Sequence, residues 1–199
     1  MPTRFALHVS KWKDCKECEL HEGRSRVVLA RGEVPCDIAF VGEAPGESED
    51  TIGAPFVGPA GGLLDEIIRN SVPSSLSCAF SNLVCCIPRG YDGRKVKPPE
   101  VTCIKACSPR LQEFLEIANP RLIVCVGALA KSWLDPEGRG SRLRYTAPMV
   151  DILHPSFILS RMNFSQRGIA CQRSEVIIAQ AIREHLGVEQ GEEVKSCTQ

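Results

Sequence analysis

The 199-residue chain has no apolar run approaching the roughly 20 residues that a membrane-spanning helix needs. Its opening stretch, MPTRFALHVSKWKD, lacks the apolar core of a secretory signal. Neither a membrane protein nor an exported one is expected, and the reading is an intracellular, cytoplasmic protein. No charge of one sign dominates: 24 basic residues face 24 acidic ones, so bulk electrostatics points to no partner. There is no internal repeat and no low-complexity segment, which excludes repeat arrays and compositionally biased linkers.

What charge there is falls unevenly. Lys131 to Arg173 holds seven Lys and Arg against three acidic residues, and Cys86 to Arg110 holds six against two. Glu184 to Gln199 has four Glu and one Lys, a net of −3. The pattern suits a protein with one positive face and equally suits scattered solvated charge. With 43% hydrophobic residues the chain can build one core, so one domain is expected over residues 1–187, with a loose polar tail over 188–199.

Cysteine is abundant instead. Eleven are present, an odd number without an export signal, so a disulfide framework is disfavoured. Cys36, Cys78 and Cys125 sit in apolar runs and read as core. Cys15-Lys-Glu-Cys18 does not, and with Cys86, Cys103 and Cys107 downstream it points to a four-thiolate site. Spacing cannot choose between zinc and an iron–sulfur cluster, nor between Cys103 and Cys107 as the fourth ligand.

Valine- and isoleucine-rich runs alternate with helical patterns. Strands are predicted at Cys36–Gly42, Cys78–Cys85, Arg121–Gly127 and Pro148–His154. Helices are predicted at Gly62–Val72, Pro98–Ile117, from Ala128, and at Arg173–Gly187. This alternation predicts an α/β fold, a central, mostly parallel four-stranded sheet covered on both faces. Sites in such folds lie beyond the carboxyl ends of the strands. Four features fall there: GEAPGESED, the Asn82 region, the Gly127 turn and His154-Pro155-Ser156.

Each of these carries chemistry. In Gly42-Glu43-Ala44-Pro45-Gly46-Glu47-Ser48-Glu49-Asp50, four carboxylates lie within eight residues. At least two must face solvent, while one can hold and activate a water. The spacing is not GxGxxG and the turn is acidic, which disfavours a phosphate loop. Phe56, within the Gly- and Pro-rich PFVGPAGG, can offer its ring as a stacking platform or fill the core. Asn82 offers two donors and an acceptor on one planar edge, matching a pyrimidine imide, or it bonds a neighbouring loop. His154, before a rigid proline turn, is placed to donate to developing negative charge. Beyond it, FILSRMNFSQRG mixes apolar residues with Arg161 and Arg167, as a DNA-distorting loop or an irregular apolar turn would.

Together these motifs resemble the uracil-DNA glycosylase superfamily, most closely its iron–sulfur-containing family 4. The matching pieces are CKEC with Leu20 to Arg24, FVGEAPGESED, GAPFVGPAGGLLD, NLVCCIP, Cys107-Ser-Pro-Arg-Leu, IVCVG and HPS, in family order from Cys15 to the last helix. The resemblance implies a three-layer α/β/α sandwich, monomeric, that flips uracil from DNA and hydrolyses its glycosidic bond. It implies that Glu43 and Glu49 place or activate water, that Phe56 stacks on uracil and that Asn82 reads its edge. The backbone at Gly42, Glu43 and Ala44 would line the pocket, and His154 would steady the departing uracil anion. Pro155, Ser156 and Arg161 would meet DNA. Cys15, Cys18, Cys86 and Cys107 would hold a [4Fe-4S] cluster, Cys107 being preferred because CSPRL matches the family pattern. Two departures stand out. RGYDGRKVKPP is longer than the family's segment and puts Tyr91 or Asp92 where an Asn is usual. Tyr91 to Glu100 contains no His, which disfavours the branch that traps DNA covalently. A catalytically degenerate iron–sulfur DNA-binding protein of the same fold is the alternative expectation.

Overall fold

The computed structural model describes residues 1–89, 96–134 and 146–188. In chain order the elements are α1 (Arg4–Trp12), α2 (Leu20–Gly23), β1 (Arg31–Gly32), β2 (Ile38–Gly42), α3 (Glu47–Ile52), α4 (Pro59–Ser71) and β3 (Cys78–Asn82). They continue with α5 (Val101–Ala118), β4 (Leu122–Val126), α6 (Ala128–Leu134), β5 (Met149–Ile152), α7 (Pro155–Arg161) and α8 (Phe164–Leu186). The sheet runs β1-β3-β2-β4-β5; β2, β3, β4 and β5 are parallel and β1 pairs antiparallel to β3.

Every residue of β2 and β4 is buried, because helices cover both sheet faces. Side chains alternate between two cores. Ala39, Val41, Ala79, Ile123 and Cys125 pack with Ile104, Leu111 and Phe114 of α5. Ile38, Phe40, Phe80, Leu122 and Val124 pack with Leu64 and Ile67 of α4 and Ile178 and Ile182 of α8. The result is the α/β/α layering. No helix among the described residues is long and apolar enough to cross a membrane.

Four sequence expectations need correction. The sheet has five strands, not four: β1 is only the pair Arg31–Gly32, too short to carry a hydrophobic period. The stretch FILSRMNFSQRG is not a loop but α7, a two-residue joint and the first turns of α8. Helix α8 begins at Phe164 rather than near Arg173, because Asn163 and Gln166 form a reciprocal capping box with both bonds at 3.0 Å. Exposed Phe164 and Ile169 hide that first stretch from an amphipathic pattern. Helix α5 starts at Val101 rather than Pro98, since a residue followed by proline disfavours helical backbone. Tyr91, Asp92 and most of the tail over 188–199 lie outside the described residues.

Candidate active site

A cavity of about 850 Å³ opens at the carboxyl edge of the parallel strands. The turn after β2 brings Glu43 and Ala44 to it and α3 brings Glu49; β3 brings Asn82; the turn before α4 brings Phe56; and the segment after β5 brings His154, with Ser156 in the first turn of α7. Gly42 lies beneath rather than in the wall. It pairs with Asn82 across β2 and β3. A Cβ there would fall 2.5 Å from both Asn82 Oδ1 and Phe56 Cζ, so only glycine lets the two groups converge.

Phe56 is 6% exposed and its backbone is left-handed, with φ 55°, an uncommon conformation for an aromatic residue. Arg31 holds it there: Nε donates to the Pro55 carbonyl at 2.8 Å and Nη2 to that of Phe56 at 3.3 Å. The same guanidinium pairs with Asp65 at 2.7 Å and lies 3.9 Å over the Phe80 ring. Phe80 in turn packs 6.2 Å from Phe56, centroid to centroid. The ring is therefore core on one side and cavity wall on the other.

Asn82 is buried, and its amide makes no hydrogen bond to any described residue while lining the cavity. A buried amide left free by the protein is available to a ligand. His154 caps α7. Its Nδ1 accepts from the Ser156 N–H at 3.2 Å and lies 2.7 Å from Ser156 Oγ. An Nδ1 that accepts from an N–H carries no proton, so this bonding assigns the proton to Nε2 of a neutral ring. Burial holds the imidazole below its ordinary pKa, against the attraction of Glu49. At the end of β4, Gly127 (φ 99°) packs beneath the ring, where a Cβ would sit 3.2 Å from His154 Cβ.

The acidic residues separate by role. Both oxygens of Glu49 are occupied: Oε1 accepts from the Val57 and Gly58 N–H groups at 2.9 and 2.8 Å, and Oε2 from Gly46 at 3.1 Å. Glu49 thus ties the turn after β2 to the Phe56 segment. Asp50 accepts from Ser25 N at 2.9 Å and Arg26 N at 3.3 Å, linking that turn to the chain after Cys18. Arg89 closes the same junction through Glu47, Asp50 and the Gly23 carbonyl. Glu47 is exposed. Glu43 is half-buried at the cavity, its carboxylate has no partner among the described residues, and burial raises its pKa.

Sequence comparison settles the family. The model of the Uracil DNA glycosylase superfamily matches residues 30–172. The Type-4 uracil-DNA glycosylase of Thermotoga maritima is 36% identical over 172 residues, 82% of this chain and 87% of that protein. The chain belongs to the uracil DNA glycosylase superfamily. The protein of the same name from Sulfurisphaera tokodaii is 40% identical over 114 residues, 57% of this chain and 50% of that protein. The one from Saccharolobus solfataricus is 38% identical over 123 residues, 61% and 55% respectively. This superfamily member therefore carries its cavity within the matched span, and Cys15 and Cys18 precede the residues matched by the family model.

Several expected residues lie away from the cavity. Pro155 is buried at the start of α7, and Arg161 is exposed at its far end. Cys85, Cys86, Cys103 and Cys107 gather on the α5 side of the sheet, where Cys85 Sγ lies 3.6 Å from Cys107 Sγ and 4.0 Å from Cys86 Sγ. Cys18 packs against that same core, and Cys103 donates to Glu19 at 3.0 Å. Cys15 is half-buried and has no described side-chain partner. No three Cys, His, Asp or Glu side chains among the described residues converge on a single-ion site. Two cations do address the sulfurs: Arg24 Nη1 donates to Cys86 Sγ at 3.1 Å, and Arg110 Nη2 lies 3.6 Å from Cys107 Sγ. Guanidiniums directed at sulfur suit thiolates, and hence a sulfur-ligated group that leaves them negative.

Sequence reasoning missed the roles of Arg31 and Arg110, and also the apolar mouth formed by Val96, Leu153 and Phe157 beside Lys97. A lone Arg in an apolar stretch, as in VVLARG, is the only local sign that Arg31 has a long-range partner.

Proposed function

We propose that this protein is a uracil-DNA glycosylase acting in base excision repair, a monomer working inside the cell on uracil-containing DNA. The observation that carries the reading is the convergence of three groups on one cavity. They are a ring held by a left-handed backbone, an amide with no hydrogen bond to the described residues and an imidazole whose Nδ1 is already occupied. Uracil swung out of the DNA stack enters between them. Phe56 lies along its face; the Asn82 NH₂ donates to O4 and Oδ1 accepts from N3–H. The backbone at Glu43 and Ala44 borders the ring, with Gly42 beneath.

As the C1′–N1 bond breaks, its electron pair moves into the uracil ring and positive charge grows on the sugar. His154 Nε2–H donates to the oxygen on which negative charge collects; one such oriented donor contributes about 3–4 kcal/mol. A neutral imidazole is suited to this task, since its N–H is a weak acid and stabilises the anion by a hydrogen bond without giving up the proton. Water then attacks C1′ and passes a proton to the Glu43 carboxylate, whose raised pKa favours accepting it. The products are an abasic site and the uracil anion, which is neutralised as Glu43 gives its proton back to solvent and uracil takes one up. Glu49, with both oxygens spent on backbone N–H groups, positions the loop. Ser156 at the cavity and Arg161 at the exposed end of α7 are placed to meet the DNA backbone.

The reading includes a [4Fe-4S] cluster held by Cys15, Cys18, Cys86 and Cys107. These sulfurs, drawn from α5, the segment after β3 and the N-terminal CxxC, would hold it as thiolates. The cluster would lend folding stability, holding that segment to the sheet. The test is uracil release from a uracil-containing oligonucleotide, read beside iron per chain and visible absorbance. Iron-loaded protein that releases uracil is expected; iron-loaded protein that leaves the strand intact refutes the activity. Zinc in place of iron refutes the cluster.

A further inference from the structure

A buried cation lies between α5 and the sheet, with no carboxylate paired to it among the described residues. Arg110 is 1% exposed. Its Nη1 donates to Ser81 Oγ at 2.8 Å, and Nη2 donates to the Asn82 and Leu83 carbonyls at 2.6 and 3.1 Å. Nη2 also lies 3.6 Å from Cys107 Sγ, one helical turn back on α5. Nε has no partner among the described residues. A cation in an apolar interior is costly without a counter-charge. Among the described residues the Cys107 sulfur lies against the guanidinium, with Cys85 beside Cys107 and Cys86 beside Cys85. Ser81 passes the contact on, donating to the Leu29 carbonyl two residues before Arg31.

The guanidinium therefore touches the two ends of the proposed chemistry at once. A single nitrogen, Nη2, both grips the backbone of the residue that reads the base and faces a sulfur of the thiolate centre. We propose that Arg110 is a positioning residue for base reading: it aims the Asn82 amide into the cavity and couples that aim to the Cys107 side of the protein. The proposal rests on the glycosylase reading above. Arg110 touches no substrate and acts only through Asn82.

The full-length, iron-loaded protein is compared with R110Q, R110K, S81A, N82A and the double variants R110Q/N82A and S81A/N82A. Four quantities are read: iron per chain, thermal midpoint, calorimetric affinity for free uracil, and single-turnover uracil release from a single-stranded oligonucleotide. R110Q is expected to slow release by about tenfold or more and to weaken free-uracil binding in parallel. R110K, which keeps the charge but not the fork, is expected to recover part of both. In the N82A background, R110Q is expected to cost less than about twofold, because its route of action is already gone. If R110Q fails to fold or hold iron, S81A carries the same comparison, since it keeps the guanidinium and removes its Nη1 acceptor together with the Ser81 bond to the Leu29 carbonyl. S81A is expected to slow release by about threefold alone and to add nothing to N82A. Effects that multiply in the double variants, or wild-type uracil affinity in both R110Q and S81A, overturn the proposal. Wild-type protein that holds iron but releases no uracil refutes the activity instead, and free-uracil affinity across the same variants still decides the role of Arg110.

Discussion

Replacing Gly42 by alanine places one methyl between the two groups that define the uracil slot. The added Cβ would sit 2.5 Å from Phe56 Cζ and 2.5 Å from Asn82 Oδ1, against an ordinary contact of about 3.5–4.0 Å. About 1 Å of space must open. The ring has little freedom to yield: it is 6% exposed, backed by Phe80, and its carbonyl is held by Arg31. The Asn82 amide faces the cavity and can swing, so the base-reading edge moves first. Overpacking of this kind costs about 1–3 kcal/mol, which lowers the thermal midpoint of a chain this size by roughly 2–10 °C. A misplacement of about 1 Å in a reacting site can cost about 100-fold in rate. G42A should thus remain folded and iron-loaded yet lose far more activity than stability. The assay is single-turnover uracil release at saturating enzyme, beside thermal unfolding. Release within about threefold of wild type would show that Gly42 does not set the slot, and the geometric reading would be wrong.

Other outcomes follow from the same geometry. H154A should slow excision more than it weakens DNA binding, because the charge His154 steadies exists mainly in the transition state; equal losses would contradict this. Burial lowers the His154 pKa, so excision should persist as pH falls through the ordinary imidazole value of about 6.5 and decline only further into acid. The sign for stability is the same: the unfolded ring takes up its proton first, so this residue's contribution is full above about 6.5 and is lost as pH falls through the folded value. An acid limb at or above 6.5 in the pH–rate profile refutes it. E43Q should keep the thermal midpoint but slow release about 100-fold or more, whereas E49Q should lower stability by about 1–3 kcal/mol by spoiling acceptors for three backbone N–H groups; the reverse pattern would exchange their roles. C107S should lose iron and visible absorbance and should unfold at lower temperature, and unchanged iron would exclude Cys107 as a ligand.

The strands were legible because strands buried on both faces become continuous apolar runs, as in IAFV and LIVCV. The site was legible because a parallel sheet aligns its carboxyl ends, so Glu43, Asn82 and His154 had to approach one edge once the strand order was right. Strand β1 was not legible: two residues carry no period, and their place depends on Ala79 and Phe80 far along the chain. Nor could the four clustered carboxylates be told apart. Glu49 and Glu43 are alike as residues, and only the fold spends one on backbone N–H groups and leaves the other beside the cavity.

Local pattern thus determined the layering, the sheet direction, the edge bearing the chemistry and the thiol-rich character of one flank. Each of these depends on neighbours within a few residues or on hydrophobic period. Tertiary structure alone decided which partner each polar group found. Arg31 closes on Phe56, Arg110 grips Asn82 and faces Cys107, and Asp50 ties back to Ser25, all across gaps that spacing does not encode. A buried polar atom must find whatever complement the packed core brings within about 3 Å, and that complement exists only after the chain has folded.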